Sequence, residues 1–134
     1  MMLRKLRAAL LVTAIATLVV AGLGGPAQAR SYDGLCESGE VCLYWGGNYT
    51  GGVADFDNTI YNYKSFRFKG YGSGVGSPLN DNSQSVKSKA RAFDAVLCVD
   101  SYFRGKCFEL APGDAYLDLG PDFNNKLSSH FWHG

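Results

Sequence analysis

The chain has 134 residues, of which 46% are hydrophobic and 19% charged, with a formal net charge of +1 at neutral pH. This composition is typical of a folded globular protein and excludes a disordered, collagen-like or multiply membrane-spanning chain. The length favours a single domain. The 13 basic and 12 acidic residues give no basic excess that would indicate nucleic acid or anionic lipid as a partner.

The N-terminus has the parts of a secretory signal peptide. A short basic segment precedes an uncharged run over residues 8–25, and Pro26 is followed by the small-residue triplet Ala-Gln-Ala. A transmembrane anchor is the alternative, since 18 uncharged residues approach the length of a membrane-spanning helix. However, Thr and Gly dilute the run, and no basic stop-transfer cluster follows it. We therefore predict a signal peptide over residues 1–29, cleaved after Ala29, and one domain over residues 30–134.

Past residue 30 the sequence shows short alternating or apolar runs and no helical period of useful length. Such runs, separated by Gly, Asn, Asp and Pro, are typical of the strands of an all-β sandwich or barrel. The predicted strands cover residues 41–45, 53–56, 60–68, 85–89, 95–99, 106–110, 115–119 and 127–131. A glycine-rich segment over residues 70–78 interrupts this pattern, and we interpret it as a long connecting loop.

All four cysteines follow the predicted signal peptide, in a part of the chain where export would allow disulfides to form. Four cysteines permit three pairings, which the sequence alone does not resolve. We favour the local pairing of Cys36 with Cys42 and of Cys98 with Cys107, because each pair encloses a turn-forming segment with Gly. Zinc binding is the alternative, but paired zinc ligands usually enclose about two to four residues, whereas these pairs enclose five and eight.

The chain repeats one pattern in its two halves. Residues 42–51 are echoed by residues 96–105, and each half later reaches an asparagine-rich turn followed by serines. The offset between the halves falls from 54 residues at the glycines to 44 at the asparagines. The first half therefore holds about ten extra residues, which we assign to the 70–78 loop.

This repeat resembles the βγ-crystallin Greek key. In that motif an aromatic residue, four residues, an aromatic residue, one residue and Gly precede a turn of the form Asn/Asp-Asn/Asp-x-x-Ser/Thr-Ser. The residues that fit the first part are Tyr44, Tyr49, Gly51, Phe103 and Gly105. Cys98 stands where the second copy would begin with an aromatic, so a disulfide could replace the aromatic contact there. The resemblance implies an all-β fold, a βγ-crystallin-like sandwich of two Greek-key motifs.

More narrowly, the Cys-x5-Cys clamp, the second cysteine pair and the closing Asn-Asn-Lys-Leu-Ser-Ser resemble secreted bacterial proteins of peptidase inhibitor family I36. The resemblance implies a secreted inhibitor of extracellular, thermolysin-like metalloproteases. It also implies a reactive bond at a Cys-Val pair inside a disulfide loop, and here that pair is Cys98 and Val99. The alternative is that Val99 is an ordinary strand residue beside a structural cystine.

The asparagine-rich turns also imply a calcium site, because in calcium-binding βγ-crystallins they supply oxygen ligands and each site takes residues from both Greek keys. The resemblance assigns Asn124, Asn125 and Ser128 in one turn, and Asn80 and Asp81 in the other. Asp81 is the one carboxylate among them, and glutamine replaces a ligating serine of the first turn, so calcium binding would be weak. The alternative is that these residues cap their own turns.

Catalysis is not expected, because the two histidines, His130 and His133, lie in the last five residues and no catalytic motif is present. We predict a secreted monomer that inhibits an extracellular protease, requires no cofactor, and contacts neither nucleic acid nor, after signal cleavage, a membrane. A calcium-binding extracellular domain without a protease target is the main alternative. A lectin or toxin-like binding module is another, since aromatic residues crowd the first half of the chain.

Overall fold

The computed structural model describes residues 31–134, which form two antiparallel β-sheets. The strands are β1 (Val41–Tyr44), β2 (Val53–Phe56), β3 (Ser85–Ser88), β4 (Asp94–Asp100), β5 (Arg104–Leu110), β6 (Ala115–Tyr116) and β7 (Ser129–His133). A short helix, α1 (Gly120–Phe123), and two 3-10 turns, Tyr63–Ser65 and Ser101–Phe103, lie in the connections. The predicted signal peptide falls outside the described residues. Within them no helix has the length and apolar character to cross a bilayer.

Each sheet takes a segment from the other half of the chain. In the first sheet the order is β2-β1-β3-β6, so β6 from the second half pairs with β3. In the second sheet the order is β5-β4-β7, and Ile60 from the first half forms a β-bridge with His130 of β7. This reciprocal exchange joins two Greek keys into one sandwich and confirms the predicted fold class.

The strand predicted over residues 60–68 is not formed. The segment instead contains the 3-10 turn Tyr63–Ser65, together with isolated β-bridges at its two ends. The cause is local, because the side chain of Asn62 accepts a hydrogen bond from the Lys64 N–H and turns the backbone out of the extended conformation. In the second half β6 covers only Ala115–Tyr116 of the predicted strand.

The two sheets pack through apolar side chains from both halves of the chain. The largest fully buried ones are Tyr63, Phe56, Phe68, Leu43, Leu79, Leu97, Leu110 and Leu127. His130 is buried among them, with Nδ1 2.7 Å from the Tyr63 hydroxyl oxygen and Nε2 2.8 Å from the Asn58 carbonyl oxygen. Because a carbonyl can only accept, Nε2 carries the proton and the Tyr63 hydroxyl donates to Nδ1. Burial lowers the pKa of His130 to about 4, so the ring is a neutral part of the core.

The glycine-rich segment over residues 70–78 folds back over the first half. A Cβ on Gly74 would lie 2.0 Å from Cγ of Trp45, so only glycine allows this contact with the indole. Lys69, just before the segment, exchanges two backbone hydrogen bonds with Val53 on the outer side of β2. The segment therefore packs on Trp45, and the residue that leads into it pairs with the edge of the first sheet.

Candidate functional site

Both halves contain a sharply folded hairpin that ends at a glycine. Gly51 has a φ of 80° and Gly105 a φ of 76°, a region that L-residues rarely adopt. A Cβ on Gly105 would lie 2.6 Å from Oδ2 of Asp100 and 2.7 Å from Cγ2 of Val99. A Cβ on Gly51 would lie 2.6 Å from the carbonyl oxygen of Ser73, so backbone shape and space both require the glycines of the two sequence motifs.

A buried serine fixes each hairpin from the neighbouring strand. The Ser129 hydroxyl donates to the Asp100 carbonyl at 2.6 Å and accepts from the Phe103 N–H at 3.1 Å. Ser85 makes the two equivalent bonds in the first half, at 2.7 and 3.0 Å. Both serines close the asparagine-rich turns in the sequence, but the pattern of these turns does not indicate the clamping role.

The structure joins Cys36 to Cys42 and Cys98 to Cys107, which is the local pairing predicted from the sequence. None of the cysteines in residues 31–134 is free. The second disulfide links directly opposed residues of β4 and β5 at the base of the second hairpin. In the first hairpin the residue that corresponds to Cys98 is Tyr44, so a covalent bond takes the place of an aromatic contact.

The peptide bond between Cys98 and Val99 lies where the regular pairing of β4 ends. Cys98 is fully buried opposite Ser129 of β7, and its carbonyl accepts from the Ser128 N–H at 2.9 Å. Val99 is half-buried at an irregularity in the β4–β5 register. The sheet therefore holds this bond, and the exposed part of the disulfide loop begins at Asp100.

The exposed tip of the loop carries aromatic and cationic side chains. Tyr102 is 58% exposed and its N–H donates to the carbonyl of Tyr61, which is 57% exposed, at 2.7 Å. The centroids of the two tyrosine rings lie 6.1 Å apart, and Phe103 contacts Tyr61 with a centroid distance of 5.1 Å. Arg104 is exposed beside them. Tyr and Arg are the residue types that most often dominate the energy of protein interfaces.

A polar cavity of about 640 Å³ opens beside this loop. The predicted reactive bond and the predicted calcium ligands, which are far apart in sequence, meet in its walls. Residues from both sets that line it are Asn80, Asp81, Asn125, Ser128 and Val99. Asn124, predicted in the same ligand set, does not line the cavity. Its N–H donates to the Gly120 carbonyl, and its side-chain oxygen is buried without a hydrogen-bond partner.

The donor groups in this cavity fit a calcium ion only weakly. The Ser128 hydroxyl donates to Oδ1 of Asp81, and Nδ2 of Asn80 donates to its Oδ2, both at 3.2 Å, so ligand types from both Greek keys do meet. Asp100 adds a second carboxylate. The cations in the same walls are Lys64, Arg104 and Lys126. Residues 31–134 contain no cluster of three or more His, Cys, Asp or Glu side chains suited to a metal. The three cations would repel a divalent ion.

The two histidines do not meet at one site. His130 points into the core, whereas His133 is exposed and pairs with Glu109, with Nδ1 3.2 Å from Oε2. They are three residues apart on β7, and side chains at odd separations on a strand lie on opposite faces. A shared metal ion is therefore excluded for this pair.

Comparison with known proteins agrees with this architecture. The sequence model of peptidase inhibitor family I36 matches residues 28–110. No curated protein gives a match. A βγ-crystallin domain solved in work on the evolution of the eye lens fold has a TM-score of 0.58 and 25% identity, and the alignment covers 81% of this chain and 92% of that one.

Two further βγ-crystallins show the same fold at lower identity. The protein from Ciona intestinalis has a TM-score of 0.55 and 17% identity, over 71% of this chain and all (100%) of that one. An archaeal βγ-crystallin has a TM-score of 0.52 and 21% identity, over 72% and 99%. The fold is that of a βγ-crystallin, and the family match spans more than half of the sequence. This chain therefore belongs to peptidase inhibitor family I36.

Proposed function

We propose that the chain is secreted and inhibits an extracellular, thermolysin-like metalloprotease through the loop closed by Cys98 and Cys107. Family membership supports inhibition of a peptidase in general. The proposal that this loop is the inhibitory element is supported by its shape, because an exposed tip stands on a base that a disulfide and hydrogen bonds hold fixed. Two disulfides are also typical of a domain exported to an oxidising environment.

A clamped loop favours tight binding because its conformational entropy is already lost. Fixing a flexible residue costs roughly 1–2 kcal/mol, and a protease must order a flexible substrate before cleavage. Here the disulfide fixes the base, Ser129 holds the carbonyl of Asp100, and the Tyr61 carbonyl holds the N–H of Tyr102. An enzyme that contacts the tip therefore meets a preorganised surface.

Cys98–Val99 is the proposed reactive bond. Val99 supplies the apolar residue after the bond that thermolysin-like enzymes favour. Because Cys98 is buried and its carbonyl accepts from Ser128, the enzyme must first open the local β4–β7 pairing. If opening costs about 3 kcal/mol, only about one molecule in 150 is competent for cleavage at any time. The protease would thus bind the exposed tip of the disulfide loop and cleave the chain only slowly.

The direct test is to titrate residues 30–134 against thermolysin and against subtilisin, with mass spectrometry of each mixture. We expect selective inhibition of the metalloprotease and slow cleavage between Cys98 and Val99. Tyr102→Ala should weaken inhibition at least tenfold. Tyr71→Ala is a matched control, because Tyr71 is 89% exposed on the glycine-rich loop. If the protein inhibits neither enzyme, the proposal is refuted. If Tyr102→Ala and Tyr71→Ala weaken inhibition equally, the loop tip does not contact the protease.

Weak calcium binding in the adjacent cavity is a second proposal, supported by the contact between Ser128 and Asp81. If the Kd is on the order of 1 mM, 10 mM Ca²⁺ would stabilise the fold by about 1.4 kcal/mol. This corresponds to a rise in Tm of several degrees for a domain of this size. Asp81→Asn should abolish the rise. Equal Tm values in calcium and in chelator would refute a stabilising site.

A further inference from the structure

We infer that Ser129 is a positioning residue of the inhibitory loop, which keeps the Val99 side of the Cys98–Val99 bond in place after a protease has cut it. The inference rests on the proposed function, because it concerns how the same loop resists turnover. It follows from the arrangement of hydrogen bonds on either side of this bond.

Different contacts hold the two sides of the bond. On the first side Cys98 is buried, paired with β7 and joined to Cys107 by the disulfide. On the second side the residue after Val99 is Asp100, whose carbonyl accepts from the Ser129 hydroxyl at 2.6 Å. A cut between these residues therefore leaves both new ends attached to the same part of the sheet. On the end that begins at Val99, Ser129 holds Asp100, one residue from the cut, while the pairing of Asp100 with Arg104 and the bond of Tyr102 to Tyr61 lie farther along the loop.

The chemistry of the cut is reversible. When the protease hydrolyses the bond, water adds a hydroxyl to the Cys98 carbonyl carbon and a proton to the Val99 nitrogen as the C–N bond breaks. In the reverse step the Val99 amine attacks the Cys98 carboxyl carbon and one water leaves. The reverse step is efficient when the two ends stay within reach, because it is intramolecular and needs no further ordering. Release of Asp100 from Ser129 would let the new end move away.

The pseudo-symmetry of the fold provides a matched control. Ser85 is fully buried like Ser129, and its hydroxyl donates to the Gly46 carbonyl at 2.7 Å and accepts from the Tyr49 N–H at 3.0 Å. Ser85→Ala therefore removes the same two kinds of bond from the hairpin that lacks the reactive bond. An effect common to both variants is due to a change in stability. An effect seen only in Ser129→Ala is due to the role of Ser129 in holding the inhibitory loop.

The experiment compares wild type, Ser129→Ala and Ser85→Ala of residues 30–134 with thermolysin, at a temperature where all three are folded. Mass spectrometry follows the rate of cleavage between Cys98 and Val99 and the ratio of cut to intact chain at equilibrium. We expect Ser129→Ala to raise both at least tenfold, and Ser85→Ala to change them less than twofold. Ser129→Thr, which keeps a hydroxyl, should lie nearer to wild type than Ser129→Ala.

Each other outcome overturns the inference in a recognisable way. Equal effects of the two alanine variants would make Ser129 purely structural. A wild type that inhibits but is never cut at Cys98–Val99 would leave inhibition standing and remove this role of Ser129. A wild type that does not inhibit would refute the proposed function itself.

Discussion

Raising the pH from 5 to 9 should destabilise the domain through Glu40. This residue is fully buried, and its Oε1 accepts from the Glu37 N–H at 2.7 Å inside the loop closed by Cys36 and Cys42. Its Oε2 is buried without a hydrogen-bond partner. Burial, together with the nearby carboxylate of Asp55, raises the pKa of Glu40 to about 8. The side chain is therefore protonated at neutral pH in the folded state.

The direction of the effect follows from proton linkage. The pKa of Glu40 is higher in the folded chain than the ordinary value of 4.5, so the folded state binds this proton more tightly. The resulting stability is complete below pH 4.5 and is lost as the pH rises through about 8. One pKa unit corresponds to about 1.4 kcal/mol, so the full loss is on the order of 5 kcal/mol. Burial also raises the pKa of Asp55, which acts in the same direction.

The assay is urea unfolding at pH 5, 7 and 9 for wild type and Glu40→Gln. Glutamine keeps the oxygen that accepts from Glu37 and cannot ionise. We expect the free energy of unfolding of wild type to fall by several kcal/mol, and that of Glu40→Gln to fall by less than half as much. Glu109→Gln, at an exposed position of β5, is the control and should follow wild type. A flat wild-type profile, or the same slope in Glu40→Gln, would refute the reasoning.

Two further predictions follow from buried or strained positions. Gly105→Ala should lower the free energy of unfolding by about 2 kcal/mol or more in urea, because φ is 76° and the new Cβ would meet Asp100. Gly113→Ala, with φ of 87° and nothing within 4 Å of the new Cβ, should lose only about 1 kcal/mol from strain, and equal losses would contradict the steric argument. The pKa of His130 is lowered to about 4 in the folded chain, so protonation of this ring should cost stability as the pH falls from 6.5 toward 4 and should offset the stability that Glu40 gains over the same range. Urea midpoints at pH 4 and 6 measure this: from pH 6 to pH 4 the midpoint of His130→Gln should rise clearly more than that of wild type, and equal changes would contradict the reasoning.

Features with a local cause could be predicted from the sequence. In both halves an aromatic-x-Gly pattern indicates a glycine at a backbone bend, and Gly51 and Gly105 do have positive φ. Short cysteine spacings likewise favour the local disulfides that are observed. The Greek keys followed from the repeat of these features. The strand predicted over residues 60–68 was wrong because apolar alternation does not reveal the turn that Asn62 makes with the backbone.

Features that depend on distant contacts could not be predicted. The hydrogen bonds of Ser129 reach Asp100 and Phe103 across 29 and 26 residues, and nothing in the serine pattern states which hairpin is held. The burial of Cys98 depends on β4 lying in the middle of its sheet, which a strand pattern does not show. The raised pKa of Glu40 likewise depends on packing, since its sequence context is an ordinary polar turn.

The reciprocal exchange between the two sheets also affects how the fold responds to a proteolytic cut between the two halves of the chain. The link between β3 and β4 includes the exposed residues 91–93, an open target for any protease around the molecule. Separated there, each part would lose a pairing segment that the other part supplies, because β3 pairs with β6 and Ile60 bridges His130 of β7. The two fragments would remain associated, and Tyr61 of the first half would still contact Tyr102 in the disulfide loop. Backbone continuity and structural integrity are thus partly independent in this fold.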